Sequence, residues 1–204
     1  MSTRMLFGNQ KGGTGKSTVT IHVAGAFAAA GYNVGVLDTD SQQTTAGLLS
    51  LPAHKNPKIK LLTTIEEEDT VDIVLADSAP RANEPKMFTF ADRADIIVLV
   101  AKSSYVDLLS TQATYRFLSP TRPNQRFCLL LNEVDPRTRL AREVESNLKL
   151  LGLDQIKLLR SRISKREAYK MGVVEGWGAF ASKAPDAVRE LAMLAGELLA
   201  ESSH

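Results

Sequence analysis

Apolar residues fall into five short, nearly unbroken runs: Met5-Leu6-Phe7, Val34-Gly35-Val36-Leu37, Ile73-Val74-Leu75-Ala76, Ile96-Ile97-Val98-Leu99-Val100-Ala101 and Phe127-Cys128-Leu129-Leu130-Leu131. Runs of this length without alternation suit strands covered on both faces, as in a parallel sheet. Between them the period lengthens to that of a helix. Val19, Val23 and Phe27 predict one over 19–30, with Gly31 as its left-handed stop. Further helices are predicted over 106–118, 139–151 (Leu140, Val144, Leu148 and Leu151 inward) and 186–201 (Val188, Leu191, Leu194, Leu198 and Leu199 inward). Weaker patterns predict a short edge strand over 59–62, a solvated acidic turn at Glu66-Glu67-Glu68-Asp69, and a last strand over 157–159. Strands alternating with helices imply one α/β domain spanning 1–204, a doubly wound, mainly parallel sheet with helices on both faces.

The chemistry sits where the first strand meets the first helix. Gly8-Asn9-Gln10-Lys11-Gly12-Gly13-Thr14-Gly15-Lys16-Ser17-Thr18 lies between them, the context a phosphate-binding loop requires. Glycines let the backbone approach a polyphosphate with N–H groups turned inward, and the helix N-terminus adds positive potential. Gly15-Lys16-Ser17 closes the pattern G-x-x-x-x-G-K-[ST], which puts Gln10 where the opening glycine would stand and a second lysine, Lys11, just after it. In such a loop Lys16 grips the β- and γ-phosphates, Ser17 coordinates magnesium, and Thr18 donates to a phosphate. The run ending at Asp77 fits the strand whose aspartate orders magnesium or its waters, and Asp38 and Asp40 close the preceding strand at its ligand-binding end.

Lys11-Gly12-Gly13-Thr14-Gly15-Lys16-Ser17-Thr18 resembles the deviant Walker A motif of the ParA/MinD ATPases. That resemblance implies ATP and Mg2+ as cofactors and a homodimer on ATP binding, in which Lys11 reaches the phosphates held by the partner subunit. Asp38-Thr39-Asp40-Ser41-Gln42 is similar to the family's Asp-x-Asp-Pro-Gln, with Ser41 for proline. The likeness gives Asp40 the attacking water and Asp38 support of the magnesium shell, and capping of the next helix by this carboxylate pair is the structural alternative, compatible with catalysis. Asp77-Ser78-Ala79-Pro80 resembles the family's Asp-x-x-Pro turn. Asn132-Glu133-Val134-Asp135-Pro136-Arg137-Thr138 is similar to the segment that helps form the adenine pocket in relatives. A side-chain amide can read donor and acceptor positions on a purine, so Asn132 is the candidate base contact. Lys102-Ser103-Ser104 stands where relatives often carry prolines.

Charge adds a partner. The chain has a net charge of only +2, yet 137–170 holds ten Lys/Arg against four Asp/Glu, a local +6 that leaves −4 elsewhere. A basic block on a near-neutral protein suggests a polyanion. By the resemblance, Arg160, Arg162, Lys165, Arg166, Lys170 and Lys183 are expected to contact nonspecific double-stranded DNA of the nucleoid. Composition restricts the alternatives. No run approaches a membrane span or a signal peptide's apolar core, so a cytoplasmic protein is expected. The single Cys128 excludes an internal disulfide and reads as a core residue. The three histidines follow no metal-ligand spacing, and the Gly-rich stretch around Trp177 reads as packing or a dimer edge.

The expected function is that of a ParA-type partition ATPase without an N-terminal DNA-binding domain. Hydrolysis stimulated by a ParB-like adaptor would release the dimer from DNA. A ParA-like positioner of protein cargo, such as a carboxysome or chemoreceptor cluster, shares every one of these residues. A MinD-like membrane regulator needs a basic amphipathic C-terminus, and Gly-Glu-Leu-Leu-Ala-Glu-Ser-Ser-His is acidic. A metabolic P-loop ligase would answer to a small molecule rather than to DNA.

Overall fold

The computed structural model describes residues 2–79, 85–121, 126–135, 137–176 and 184–203. Expectations at Pro80, Pro136, Lys183 and around Trp177 lie outside the described residues. Seven strands form one sheet: β1 (Thr3–Gly8), β2 (Val34–Asp38), β3 (Ile59–Leu62), β4 (Ile73–Asp77), β5 (Ile96–Ala101), β6 (Arg126–Val134) and β7 (Lys157–Ser164), in the order β3-β2-β4-β1-β5-β6-β7. Every pairing is parallel, as near-continuous apolar strands require.

Alternate side chains of each strand feed opposite cores. Met5, Phe7, Val36, Leu75, Val98 and Leu130 face one layer, formed by α1 (Lys16–Ala29), α7 (Glu167–Glu175) and α8 (Pro185–Ser202). Leu6, Leu37, Ala76, Leu99 and Leu131 face the other, formed by α3 (Pro85–Ala91), α4 (Tyr105–Leu118), α5 (Arg139–Arg142) and α6 (Val144–Leu150). A last helix, α2 (Thr44–Leu49), follows β2. Helix α1 lies between the sheet and α7 and α8, so Ile21, His22 and Ala24 are buried along with its predicted stripe. It stops as expected. Gly31, at φ 104°, donates to Ala28 O, and Tyr32 N–H donates to Phe27 O, which together satisfy two terminal carbonyls.

Three expectations need correction. The acidic turn at 66–69 is not wholly solvated: Glu68 is 1% exposed in a 3-10 turn (Ile65–Thr70). Its carboxylate takes both Arg4 Nε (2.9 Å) and Nη2 (3.1 Å) and also Arg93, which offsets the cost of burying a charge. The helix over 139–151 is two helices, because the chain leaves helical geometry at Glu143. The last strand does not end at 159 but runs on to Ser164, so Arg160 and Arg162 belong to a sheet edge.

Glu68→Ala should lower unfolding free energy by about 3 kcal/mol, the low end for breaking a buried pair because Arg93 is half-exposed. A urea-melt loss within about 0.5 kcal/mol would show that the cluster acts like a surface pair.

Candidate nucleotide site

The C-terminal ends of β1, β4 and β2 lie side by side. Phe7 pairs with Asp77 and Asp38 with Asp77, so loop and carboxylates meet at one end of the sheet, where ligands of such folds bind. The loop of residues 9–15 is held from beneath. Asn9 is buried, and its amide donates to Val100 O (3.0 Å) and Thr111 Oγ1 (3.2 Å), while its carbonyl accepts from Lys11 N–H (3.0 Å). Gln10 N–H donates to Thr114 Oγ1 (3.0 Å). Gln10 does not have a positive φ, which explains why a non-glycine residue is accepted there; the left-handed positions are Gly13 (φ 75°) and Gly15 (φ 92°).

Helix α1 begins at Lys16, three residues before its apolar stripe, with Gly15 as N-cap. Lys16 is buried, and its Nζ donates to Lys11 O (3.1 Å). Burial lowers its pKa against the pull of Asp77 and Asp40. Asp77 is its counterpart: burial raises its carboxyl to about 6, against hydrogen bonds from Ser17 and Thr45. Thr45 Oγ1 donates to Asp77 Oδ2 at 2.6 Å, while Oδ1 is buried without a partner. The Thr14 hydroxyl is likewise unpartnered. Bent glycines, a desolvated ammonium, a free buried hydroxyl and an unmet carboxylate oxygen fit a polyphosphate with a divalent cation.

The other candidates are placed as follows. Gly12 and Gly13 are exposed, and Ser17 and Thr18 half-buried at the start of α1. Asp38 Oδ1 accepts from Asp40 N–H (2.9 Å) and Oδ2 from Ala46 N–H (2.9 Å) in the first turn of α2. Asp40 is half-buried, and one of its oxygens accepts from Gln42 N–H (2.9 Å). Capping of α2 by Asp38 is therefore present. Asn132 does not face an open pocket: it is buried, and its amide donates to Thr14 O (2.8 Å). Any Cβ on Gly15 would run into that amide, so Asn132 braces the loop in this structure.

Lys11 Nζ lies 2.6 Å from Asp107 Oδ1 in the first turn of α4, with Ser104 on the other carboxylate oxygen. Burial raises the Asp107 carboxyl, but bonds from Lys11 and Ser104 outweigh it and hold the carboxyl below its ordinary value. The sequence reading missed Asn9, Thr45 and Asp107. Ser104-Tyr105-Val106-Asp107 has capping-box spacing, which locates the helix start but not the tie to Lys11.

The described basic candidates differ in their settings. Arg160, Lys165 and Lys170 are exposed. Arg162 Nη1 donates to Ala141 O (3.4 Å) on the α5 side. Arg166 is committed to α8, through Glu190 (2.8 Å) and Asp186 (3.8 Å).

A family model described as "CobQ/CobB/MinD/ParA nucleotide binding domain" matches residues 5–174. The chain belongs to this family. Among curated relatives, "Maintenance of carboxysome distribution protein A" of Halothiobacillus neapolitanus is 24% identical over 187 residues, 84% of each chain. The protein of that name from Gloeobacter kilaueensis is 29% identical over 178 residues, 82% of this chain and 79% of its own. Among solved structures, apo McdA from Cyanothece superposes with a TM-score of 0.79 at 14% identity, covering 97% of this chain and 100% of its own. That likeness shows that this member of the CobQ/CobB/MinD/ParA family has the McdA fold. No helix among the described residues is long and apolar enough to cross a membrane.

Two substitutions probe the site. Between the unfolded aspartate pKa, near 3.9, and about 6, native Asp77 keeps a proton that the unfolded chain has lost, so this group's stability contribution falls as pH rises. Asp77→Asn in the nucleotide-free protein should therefore raise the melting temperature at pH 8, by the equivalent of about 1–3 kcal/mol, with a smaller gain at pH 4. An equal shift at both pH values would mean burial of the charge is not the cause. Gly15→Ala should abolish nucleotide binding, since it meets both the Asn132 amide and a left-handed φ; wild-type affinity by calorimetry would contradict the loop geometry.

Proposed function

We propose that this chain is a ParA-type, Mg-dependent ATPase that positions a protein cargo of the carboxysome kind over nucleoid DNA. The observation carrying this reading is the second lysine, Lys11, at the phosphate loop, whose ammonium pairs, among the described residues, with Asp107 while its side chain stays 39% exposed. An ion pair of that exposure contributes up to about 1 kcal/mol. A polyphosphate on the facing subunit offers Lys11 more negative charge than Asp107 does. ATP-Mg supplies a γ-phosphoryl group whose removal reduces that charge. Within one subunit Lys16 holds the phosphates, Thr14 and Thr18 donate hydroxyls, Ser17, Asp77 and Asp38 hold the cation shell, and Asp40 orients water. Lys11 completes the site across a homodimer.

Two relatives named for carboxysome distribution, matched over about four fifths of each chain, favour protein cargo over a plasmid. In this scheme the ATP dimer holds DNA, and a cargo-borne adaptor stimulates hydrolysis and release, in a cytoplasmic, nucleoid-associated cycle. Plasmid or chromosome partition with a ParB-like adaptor uses the same residues and is the second reading. It is decided by which adaptor stimulates turnover.

With ATP and Mg2+ the protein should dimerise and bind double-stranded DNA, and with ADP it should do neither. Lys11→Ala should bind nucleotide normally yet stay monomeric, while Asp107→Asn should dimerise at several-fold lower ATP, matching about 1 kcal/mol released. Sizing chromatography and fluorescence anisotropy read both effects. An unchanged ATP dimer in Lys11→Ala would remove the cross-subunit role.

A further inference from the structure

Helix α2 begins against its own local preferences. Its N-cap, Gln43, sits at φ 50° and makes no side-chain bond to the helix. A left-handed conformation is one that a side chain disfavours, and such residues persist where surrounding contacts hold them. Those contacts come from the strand ends. Ala46 N–H, a donor that an N-cap side chain ordinarily takes, bonds instead to Asp38 Oδ2 at 2.9 Å. One position earlier stands Thr45, the buried residue of α2, at 0% exposure. A threonine hydroxyl there costs free energy unless it is bonded, and its partner is Asp77 Oδ2 at 2.6 Å.

Asp77 is thereby fixed through both its main chain and its side chain. Its main-chain carbonyl accepts from Thr39 N–H (3.0 Å) and from Thr39 Oγ1 (2.9 Å), and Thr39 is itself buried. The carboxylate would otherwise turn about a broad, roughly two-fold torsion. The short bond to Thr45 removes that freedom by engaging one oxygen. Oδ1 is the oxygen left buried without a partner. Asp38 differs, since Asp40 N–H and Ala46 N–H occupy its two oxygens. Of the acids that close β2 and β4, Asp77 is thus the one with a buried oxygen unmet among the described residues.

We propose that Thr45 is a positioning residue for Asp77: its hydroxyl holds Oδ2 and so presents Oδ1 to the divalent cation or to that cation's waters. The glycine loop and Lys16 bind phosphate whichever way the carboxylate turns. Thr45 therefore acts on the metal-dependent part of nucleotide affinity and leaves the rest alone. This role rests on the cation-shell reading of Asp77 given under Proposed function and adds the group that aims the carboxylate.

Calorimetry on the full chain measures ADP affinity in EDTA and in excess Mg2+, with ADP chosen to keep dimerisation out of the measurement. Thr45→Val retains the branched shape and removes the hydroxyl. It should bind ADP in EDTA within about twofold of wild type, while the gain in affinity from Mg2+ falls by about tenfold or more, the scale of one bond to a charged group. Thr45→Ser should restore that gain. In an Asp77→Asn background, Thr45→Val should lower the gain no further, as expected of two residues acting through one bond. Should Thr45→Val fold poorly, Thr45→Ala, which favours a helix, carries the same comparison. Equal losses with and without Mg2+ would mean that Thr45 only shapes the loop, and would overturn the proposal. An unchanged gain in Thr45→Val would do the same, since Asp77 would then be aimed without it. A wild-type protein that gains nothing from Mg2+ would instead refute the cation-shell reading on which this role rests.

Discussion

The nucleotide end of this molecule depends on two side-chain amides beneath a glycine loop. Asn9 ties the loop's start to β5 and α4, and Asn132, at the end of β6, donates to the Thr14 carbonyl. A loop rich in glycine has much backbone freedom to lose on ordering. Buried hydrogen bonds to its own carbonyls and N–H groups keep it fixed, and glycine at 15 is required because Asn132 approaches so closely. The remaining N–H groups are then free to face an anion. Preorganisation of this kind is what phosphate recognition asks of a protein.

Around that loop the charges are balanced rather than hidden. Lys16 and Asp77 are both buried and both have pKa values displaced toward neutrality by burial. Each opposes the other's desolvation, and the residual imbalance is an unmet oxygen on Asp77. A site of this kind is unstable relative to an apolar core of similar shape, which is the usual relation between function and stability.

Strand positions and the phosphate loop were legible because each has a one-dimensional signature. Buried parallel strands write themselves as unbroken apolar runs, and Gly15-Lys16-Ser17 has fixed spacing. Partners distant in sequence were not legible. Glu68 looked like one of four exposed acids, and only the fold brings Arg4 and Arg93 to it. Asp107 looked like a helix cap until α4 placed it against Lys11. The extent of β7 was missed because Arg160-Ser161-Arg162 breaks its apolar pattern, and Glu197 stabilises that stretch from a helix nearly forty residues away. Asn132 was seen as polar and well placed, but its neighbour is a carbonyl of the loop.

Two consecutive residues of α2 hold the two strand-end carboxylates: Thr45 is bonded to Asp77 and the Ala46 N–H to Asp38. A six-residue helix has little cohesion of its own, so its first turn takes its position from these acids. The charge balance between Asp38 and Asp77 therefore bears directly on how α2 is seated, with Leu49 at its far end packed against the core.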